Sequence, residues 1–293
     1  MARLKSILWN QMKKNNNKSP FPWTSVSALL FTAAILTASI IIYSKGQKQR
    51  ILRDAATEMD AVANLKSDQV SEWKKERLND AVLIHENVTL VEHIDAMFIR
   101  DNSAREKTKL IQLLNTLIQN YDFGGAVLLD EGGKTGIAVP PSEAVMGENL
   151  RANVTKAISN PVISISDFHT ASVVSYLHLD LLIPMKMPYE GDTVLAGVLV
   201  FRIDPEKELF PMLSTWPTPG RTAECILFRF EGDSVIYLNG SHLAGYDRTV
   251  TFAAGEMELS VMNPATDSKE ATTYTDYTRS EEHTSELQSR QVI

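Results

Sequence analysis

The 293-residue sequence holds a single cysteine, Cys225. One cysteine closes no internal disulfide, and no CxxC or cysteine–histidine cluster has the spacing of a metal site. No metal is expected. An exported domain without disulfides suits a bacterial envelope better than a secreted eukaryotic module. Basic charge is also short, with 29 Lys and Arg against 36 Asp and Glu, a net charge of −7. A chain of this sign lacks the basic patch that nucleic acid needs, so no nucleic-acid partner is expected. Catalytic signatures are missing as well: there is no G-x-S-x-G, H-E-x-x-H, Walker A loop or G-x-G-x-x-G. The expectation is a non-enzymatic region with no cofactor. A membrane-tethered hydrolase has no motif to support it.

Charge is absent altogether between Ser19 and Ser44. The apolar stretch Thr24–Tyr43, TSVSALLFTAAILTASIIIY, is long enough as a helix to cover about 30 Å, the hydrocarbon thickness of a bilayer. Trp23 and Tyr43 stand at its two ends, where amphipathic rings favour the headgroup region. A cleaved signal peptide would have a shorter apolar core and a small-x-small site, whereas this one ends Ile-Ile-Ile-Tyr. An uncleaved transmembrane helix over 23–44 is therefore expected. Residues 1–22 carry five basic residues and no acid, while the other flank mixes Lys45, Lys48, Arg50 and Arg53 with Asp54, Glu58 and Asp60. That bias, and the lack of any domain before the helix, predict a cytoplasmic N-terminus with the main domain periplasmic or extracellular.

Past the membrane, apolar positions such as Leu52, Met59, Val62, Val70, Trp73, Ala81, Ile84 and Val91 recur every three or four residues. No Gly or Pro follows Gly46 until Gly124, so residues 45–100 read as one stalk helix. Its stripe is narrow near the membrane, which points to a homodimer through the stalk; packing on its own domain is the alternative. Ser103 and Glu106 form a capping box for a helix to about Asn120, buried through Leu110, Leu113, Leu114, Leu117 and Ile118. The texture then changes to strands: 123–130, 134–139, 162–166, 176–185 and 194–203, with helices over 148–159 and 205–214. This predicts an α+β module with an antiparallel sheet of about five strands over 101–215. A second strand–turn–strand, 224–230 and 234–239, repeats the one at 123–139 and opens a partial second module over 216–278.

The best binding candidates lie around 176–180. Tyr176, His178 and Asp180 alternate with Leu177, Leu179 and Leu181, so a strand puts the polar groups on one face. Such a face can hydrogen-bond a small polar ligand, and Asp180 can pair with an ammonium group. Asp167 and His169 lie just upstream, and Arg202 and Asp204 end the last strand. A solvated sheet face with the leucines in the core is the alternative. His85 and His93, eight residues apart on a helix, are poorly spaced for chelation. Trp216 with Pro217 and Pro219 reads as a rigid joint between modules.

Several strings together resemble the double Cache (PAS-like) sensor region of bacterial transmembrane receptors. They are SEWKKERLNDA (71–81), ISDFH (165–169), LHLDLLIPM (177–185), GVLVFRIDPEKELFP (197–211) and STWPTPGRTAECILFRFEGDSVIYLN (214–239). The resemblance spans about 50–250. It implies a transmembrane helix continuing into a stalk, then two Cache modules with antiparallel sheets, the second incomplete. It implies an unknown small-molecule ligand in the first module and a signal passed to a cytoplasmic kinase or cyclase. The family's amino-acid-binding branch uses a spaced set of Tyr, Arg, Trp, Tyr and Asp; no Trp occurs here between Trp73 and Trp216, a departure from that pattern. A membrane-anchored module that docks a periplasmic protein is the alternative function. Residues 279–289, RSEEHTSELQS, resemble the translation of a sequencing adapter, so 279–293 is expected to be a non-native tail and the native reading to stop near Thr278.

Overall fold

The computed structural model describes residues 23–100, 104–170, 176–217, 225–231, 234–239 and 250–253. The segment 1–22, the capping residue Ser103, most of the second module and the tail 279–293 lie outside the described residues. Helix α1 runs Trp23–His85, and the chain divides within it into two units, one ending at Ala55 and the next starting at Ala56. In the first unit the helix is long and apolar enough to cross a membrane. Leu29, Leu36 and Ile42 on it are 70%, 63% and 72% exposed, so nothing within the described protein covers this surface. A bilayer would, and a helix satisfies its own backbone groups there.

In the second unit the continuing part of α1 buries Val62, Val70, Trp73, Ala81 and Ile84 against the rest of the unit. From Val62 onward, then, the stalk packs on its own domain. Trp73, Arg77 and Asp80, the residues that mark SEWKKERLNDA, are anchors of this contact. The Trp73 indole donates to Glu208 at 3.0 Å, and Arg77 donates to the Tyr121 carbonyl at 3.2 Å while pairing with Asp80 at 3.4 Å. Lys66, only 5% exposed, donates to the carbonyls of Met212 and Thr215, both at 2.6 Å, and so satisfies backbone groups at the end of a short helix, Leu209–Ser214.

The unbroken helix predicted over 45–100 is corrected: α1 ends at His85, and a second helix, α2, covers Val88–Asp95, followed by a π-helical turn, Ala96–Arg100. Asn87 causes the break. Its side chain accepts from the Leu90 N–H at 3.0 Å, capping α2 in a way that a mid-helix residue cannot. Helix α3, Ala104–Asn120, buries Leu110, Leu114 and Leu117. Its Glu106 binds His93 Nδ1 and Lys109 Nζ, each at 2.7 Å.

Five strands follow: β1 Gly125–Leu129, β2 Thr135–Val139, β3 Ser164–Ile165, β4 Leu179–Tyr189 and β5 Asp192–Ile203, with helix α4, Glu148–Ser159, between β2 and β3. They form one antiparallel sheet in the order β2-β1-β5-β4-β3. The fold class predicted from the sequence, α+β with an antiparallel sheet of five strands, is the one observed. The β4–β5 hairpin is longer than predicted because it closes through Glu190 and Gly191, both at positive φ (50° and 88°), the signature of a tight two-residue turn. Pro184 and Pro188 interrupt the strand pattern in the sequence. They are tolerated because β3 pairs only with Leu181 and Leu182, leaving the rest of β4 an edge.

The sheet is covered on both faces. Leu128, Leu181, Ile183, Leu199 and Phe201 pack with Leu90, Ile94, Leu110 and Leu114 of α2 and α3. Val127, Leu129, Leu182, Val198 and Val200 pack under Leu150, Val154 and Ala157 of α4. The predicted closing helix over 205–214 is shorter, α5 at Leu209–Ser214, because 205–208 form a turn. The hairpin predicted over 224–239 is present as β6 Phe228–Glu231 and β7 Ser234–Tyr237, with β8 Val250–Ala253 beside β7. Arg229 on β6 donates to the Phe168 carbonyl at 2.5 Å, tying this hairpin to the five-stranded sheet domain.

Candidate functional site

Register places the site. On the face beneath α4, the apolar row Val127, Val200 and Leu182 is followed two residues on by Gly125, Arg202 and Asp180, which lie side by side on β1, β5 and β4. Where the apolar cover ends, charge begins. Asp180 is 0% exposed and Arg202 is 3%. The Arg202 guanidinium bonds Glu143 through Nη1 and reaches Asp180 Oδ1 with Nε at 3.4 Å. Glu143 comes from a 3₁₀ turn, Pro141–Ala144, just after β2. Its approach depends on Gly125, where a Cβ would stand 2.8 Å from Glu143 Cγ.

Two histidines close the cluster. His169 and His178 face each other in an antiparallel bridge, exchanging both backbone hydrogen bonds at 3.0 Å. Their rings meet edge-on with centroids 4.4 Å apart. His169 Nδ1 bonds the Asp167 carbonyl at 2.9 Å, and His178 Nδ1 bonds the Tyr176 carbonyl at 3.0 Å. A carbonyl only accepts, so each Nδ1 carries the hydrogen and each Nε2 turns the other way. His169 Nε2 lies 3.0 Å from Asp180 Oδ2. The contact is close but lacks hydrogen-bond geometry. His169 Nε2, His178 Nε2 and Asp180 Oδ2 all have no hydrogen-bond partner among the described residues. Tyr176 stacks edge-on over His178 at 5.7 Å, and its hydroxyl stands 3.0 Å from where a Cβ on Gly124 would lie.

The electrostatics follow from this packing. Burial opposes charge on His169, yet the Asp180 contact and the Asp167 carbonyl outweigh it and raise its pKa. Burial lowers the pKa of His178 despite the Tyr176 carbonyl. Burial also raises Glu143, against the pull of Arg202, and raises Tyr176, helped by the Glu143 charge. The cluster thus holds groups whose protonation states are driven apart, the pattern found where ligands or protons are handled.

Of the residues singled out from sequence, His169, Tyr176, His178, Asp180 and Arg202 come together here. Asp167 does not: its exposed carboxylate caps the Phe168 N–H at 2.7 Å and faces Arg229 at 3.6 Å, while its carbonyl orients His169. Asp204 instead accepts from the Glu206 N–H at 3.0 Å and lines a shallow cleft with Trp73, Arg77, Tyr121, Lys207 and Glu208. A polar face left open to solvent is ruled out, since Asp180 and His178 are as buried as Leu179 and Leu181. Glu143 was missed. A lone acid in a proline-flanked turn carries no periodicity, and only the glycine pair Gly124-Gly125 hinted at a close approach.

No protein-family profile matches the chain, and no curated protein matches it. Solved structures with a similar course of chain do exist. The sensory domain of the Campylobacter jejuni chemoreceptor Tlp3 (CcmL) with isoleucine bound is 10% identical with a TM-score of 0.43, over 71% of this chain and 96% of that one. The V. cholerae histidine kinase DctB sensor domain is 14% identical with a TM-score of 0.43, over 69% and 68%. The extracellular domain of the histidine kinase vpHK1S-Z8 is 11% identical with a TM-score of 0.40, over 68% and 94%. All three are sensory or extracellular domains of chemoreceptors or histidine kinases. At these scores the likeness transfers no residue and no ligand.

Proposed function

We propose that this chain is the membrane-anchored, extracytoplasmic sensory region of a bacterial receptor, with the Glu143–Arg202–Asp180–His169–His178 cluster as its ligand site. One observation carries the reading. Five ionisable side chains, each no more than 8% exposed, are gathered at one end of an otherwise apolar sheet face. Ions removed from water cost several kcal/mol each, so a purely structural core would fill this space with apolar groups. The cluster presents both signs of charge. Its chemistry suits a small zwitterion or carboxylic acid that competes for Arg202 and the two carboxylates.

In this reading the apolar part of α1 spans the membrane, with residues 1–22 on the cytoplasmic side. Ligand binding favours one of two packings of the sheet and stalk, and the shift passes along α1, which a second copy pairs with near the membrane. The contacts of Trp73, Arg77 and Lys66 with the distal module support a rigid mechanical link.

The test is thermal shift of the full chain in detergent micelles against amino acids, amines and small carboxylates. A hit that raises the melting temperature, and is lost in Arg202→Ala, supports the proposal. Silence across the set, together with retention of one periplasmic protein from envelope extract, would replace it with a docking module that takes no small ligand.

A further inference from the structure

We infer that His169, His178 and Asp180 form a binding site for a divalent first-row transition ion of the zinc type. The sequence offers no metal pattern: the two histidines are nine residues apart. The fold supplies what spacing does not, by setting them opposite each other in an antiparallel bridge with Asp180 two residues along the same face.

Three features point to an ion. First, both Nδ1 atoms are committed to backbone carbonyls, at 2.9 and 3.0 Å. In the neutral form of each ring that arrangement leaves Nε2 with a bare lone pair, and it is the usual hydrogen-bonded support of a metal-bound histidine. Second, both Nε2 atoms and Asp180 Oδ2 are buried and without a hydrogen-bond partner among the described residues, and one donor atom from each of the three residues lies within 4.8 Å of the others. Without its proton His169 leaves three acceptors turned together, and a cation between them replaces what that proton supplies. Third, the other carboxylate oxygen of Asp180 is held by Arg202, which orients Oδ2 toward the histidines.

Two imidazoles and one carboxylate suit zinc, cobalt or ferrous ion better than calcium or magnesium, which prefer oxygen. Bonds of about 2.0–2.2 Å in a tetrahedral set place donors roughly 3.4 Å apart, so donors spread over as much as 4.8 Å close by up to about 1.4 Å on binding. Three protein donors leave one position open, as in sites where the ion meets a further ligand rather than serving as a closed structural staple. The inference deepens the sensory reading, because it names a ligand for the same cluster. It rests on that reading only for its biological role.

The probes are Zn²⁺ and Co²⁺ with the full chain in detergent, purified without a histidine tag and stripped with EDTA. Calorimetry is expected to show one equivalent of Zn²⁺ bound, with affinity falling at least about 10–100-fold in His178→Ala and in Asp180→Asn. Co²⁺ is expected to give visible absorption of low-coordinate geometry, lost in both variants. A Cys225→Ser variant is expected to bind Zn²⁺ as the wild type does. Absence of a stoichiometric Zn²⁺ site in the folded wild type overturns the inference, as does wild-type binding in both site variants. If His178→Ala fails to fold by circular dichroism, His169→Gln takes its place under the same criterion. Zn²⁺ binding without any metabolite hit removes the organic-ligand reading and leaves the metal site standing. A metabolite hit in a chain that takes no Zn²⁺ does the reverse.

Discussion

Gly125 and Arg202 lie side by side on β1 and β5, and the missing side chain of the first is what lets Glu143 reach the guanidinium of the second. A Cβ at 125 would stand 2.8 Å from Glu143 Cγ and 3.0 Å from the Val139 carbonyl. Gly125→Ala must therefore push the 3₁₀ turn away and loosen a buried ion pair. The expected loss is about 1–3 kcal/mol, the range for overpacking a tight core, read from thermal or urea unfolding. Gly132→Ala, whose nearest atom is the Asp130 carboxylate at 3.4 Å, is the control and should change stability far less. Equal losses in the two variants would mean that the approach of Glu143 is not what Gly125 protects.

Arg202 neutralises two carboxylates at once. Replacing it with methionine keeps much of the volume and leaves Glu143 without its cation at 6% exposure. Removing one partner of a buried pair typically costs about 3–5 kcal/mol, more than the pair itself contributes, because the orphaned charge stays desolvated. Arg202→Met should therefore be strongly destabilising, and adding Glu143→Leu should recover part of the loss, since Asp180 keeps His169 beside it. A double variant less stable than the single one would show that Glu143 has another role in holding the 3₁₀ turn.

The sheet and most of the site were legible because their signals are periodic. Alternation at 176–181 set Tyr176, His178 and Asp180 against the leucines, and the strand carrying Arg202 read as a strand. What was illegible depended on single side chains or on partners far away in sequence. Nothing at Glu143 marks it as Arg202's partner, because Gly125 alone makes the approach feasible. The burial of the polar face depends on Arg202 beside it on β5 and on Glu143 of the 3₁₀ turn, which a two-residue repeat cannot disclose. The unpartnered Nε2 atoms depend on two carbonyl contacts that only folded backbone creates. The break at Asn87 was missed because the pattern of apolar residues runs straight through it.

That break makes a prediction of its own. Asn87→Ala removes the acceptor for the Leu90 N–H, held now at 3.0 Å, and restores helix propensity across the junction. Loss of an N-cap costs about 0.5–2 kcal/mol, which outweighs the few tenths gained from alanine. The variant should be less stable by roughly 1 kcal/mol in unfolding measurements, whereas Asn87→Ser or Asn87→Asp should stay near wild type. Were Asn87→Ala more stable, α1 and α2 would be one helix held apart by something other than the cap.

The two histidines impose opposite pH dependences on the metal-free protein. The pKa of His169 is raised above its ordinary 6.5, so the folded state binds its proton more tightly than the unfolded chain does. Its contribution is fully present below about pH 6.5 and is lost as pH rises through the folded value. His178 is lowered, so its contribution is present above about pH 6.5 and is lost as pH falls through its folded value. With EDTA present, the stability difference between wild type and His169→Asn should therefore be largest in mildly acid buffer and shrink toward alkaline pH. For His178→Asn the difference should run the other way. Unfolding midpoints of the three proteins across about pH 5–8.5 decide it. Parallel curves would mean that neither ring changes its proton affinity on folding, and that the close approach of His169 to Asp180 carries no charge in the native state.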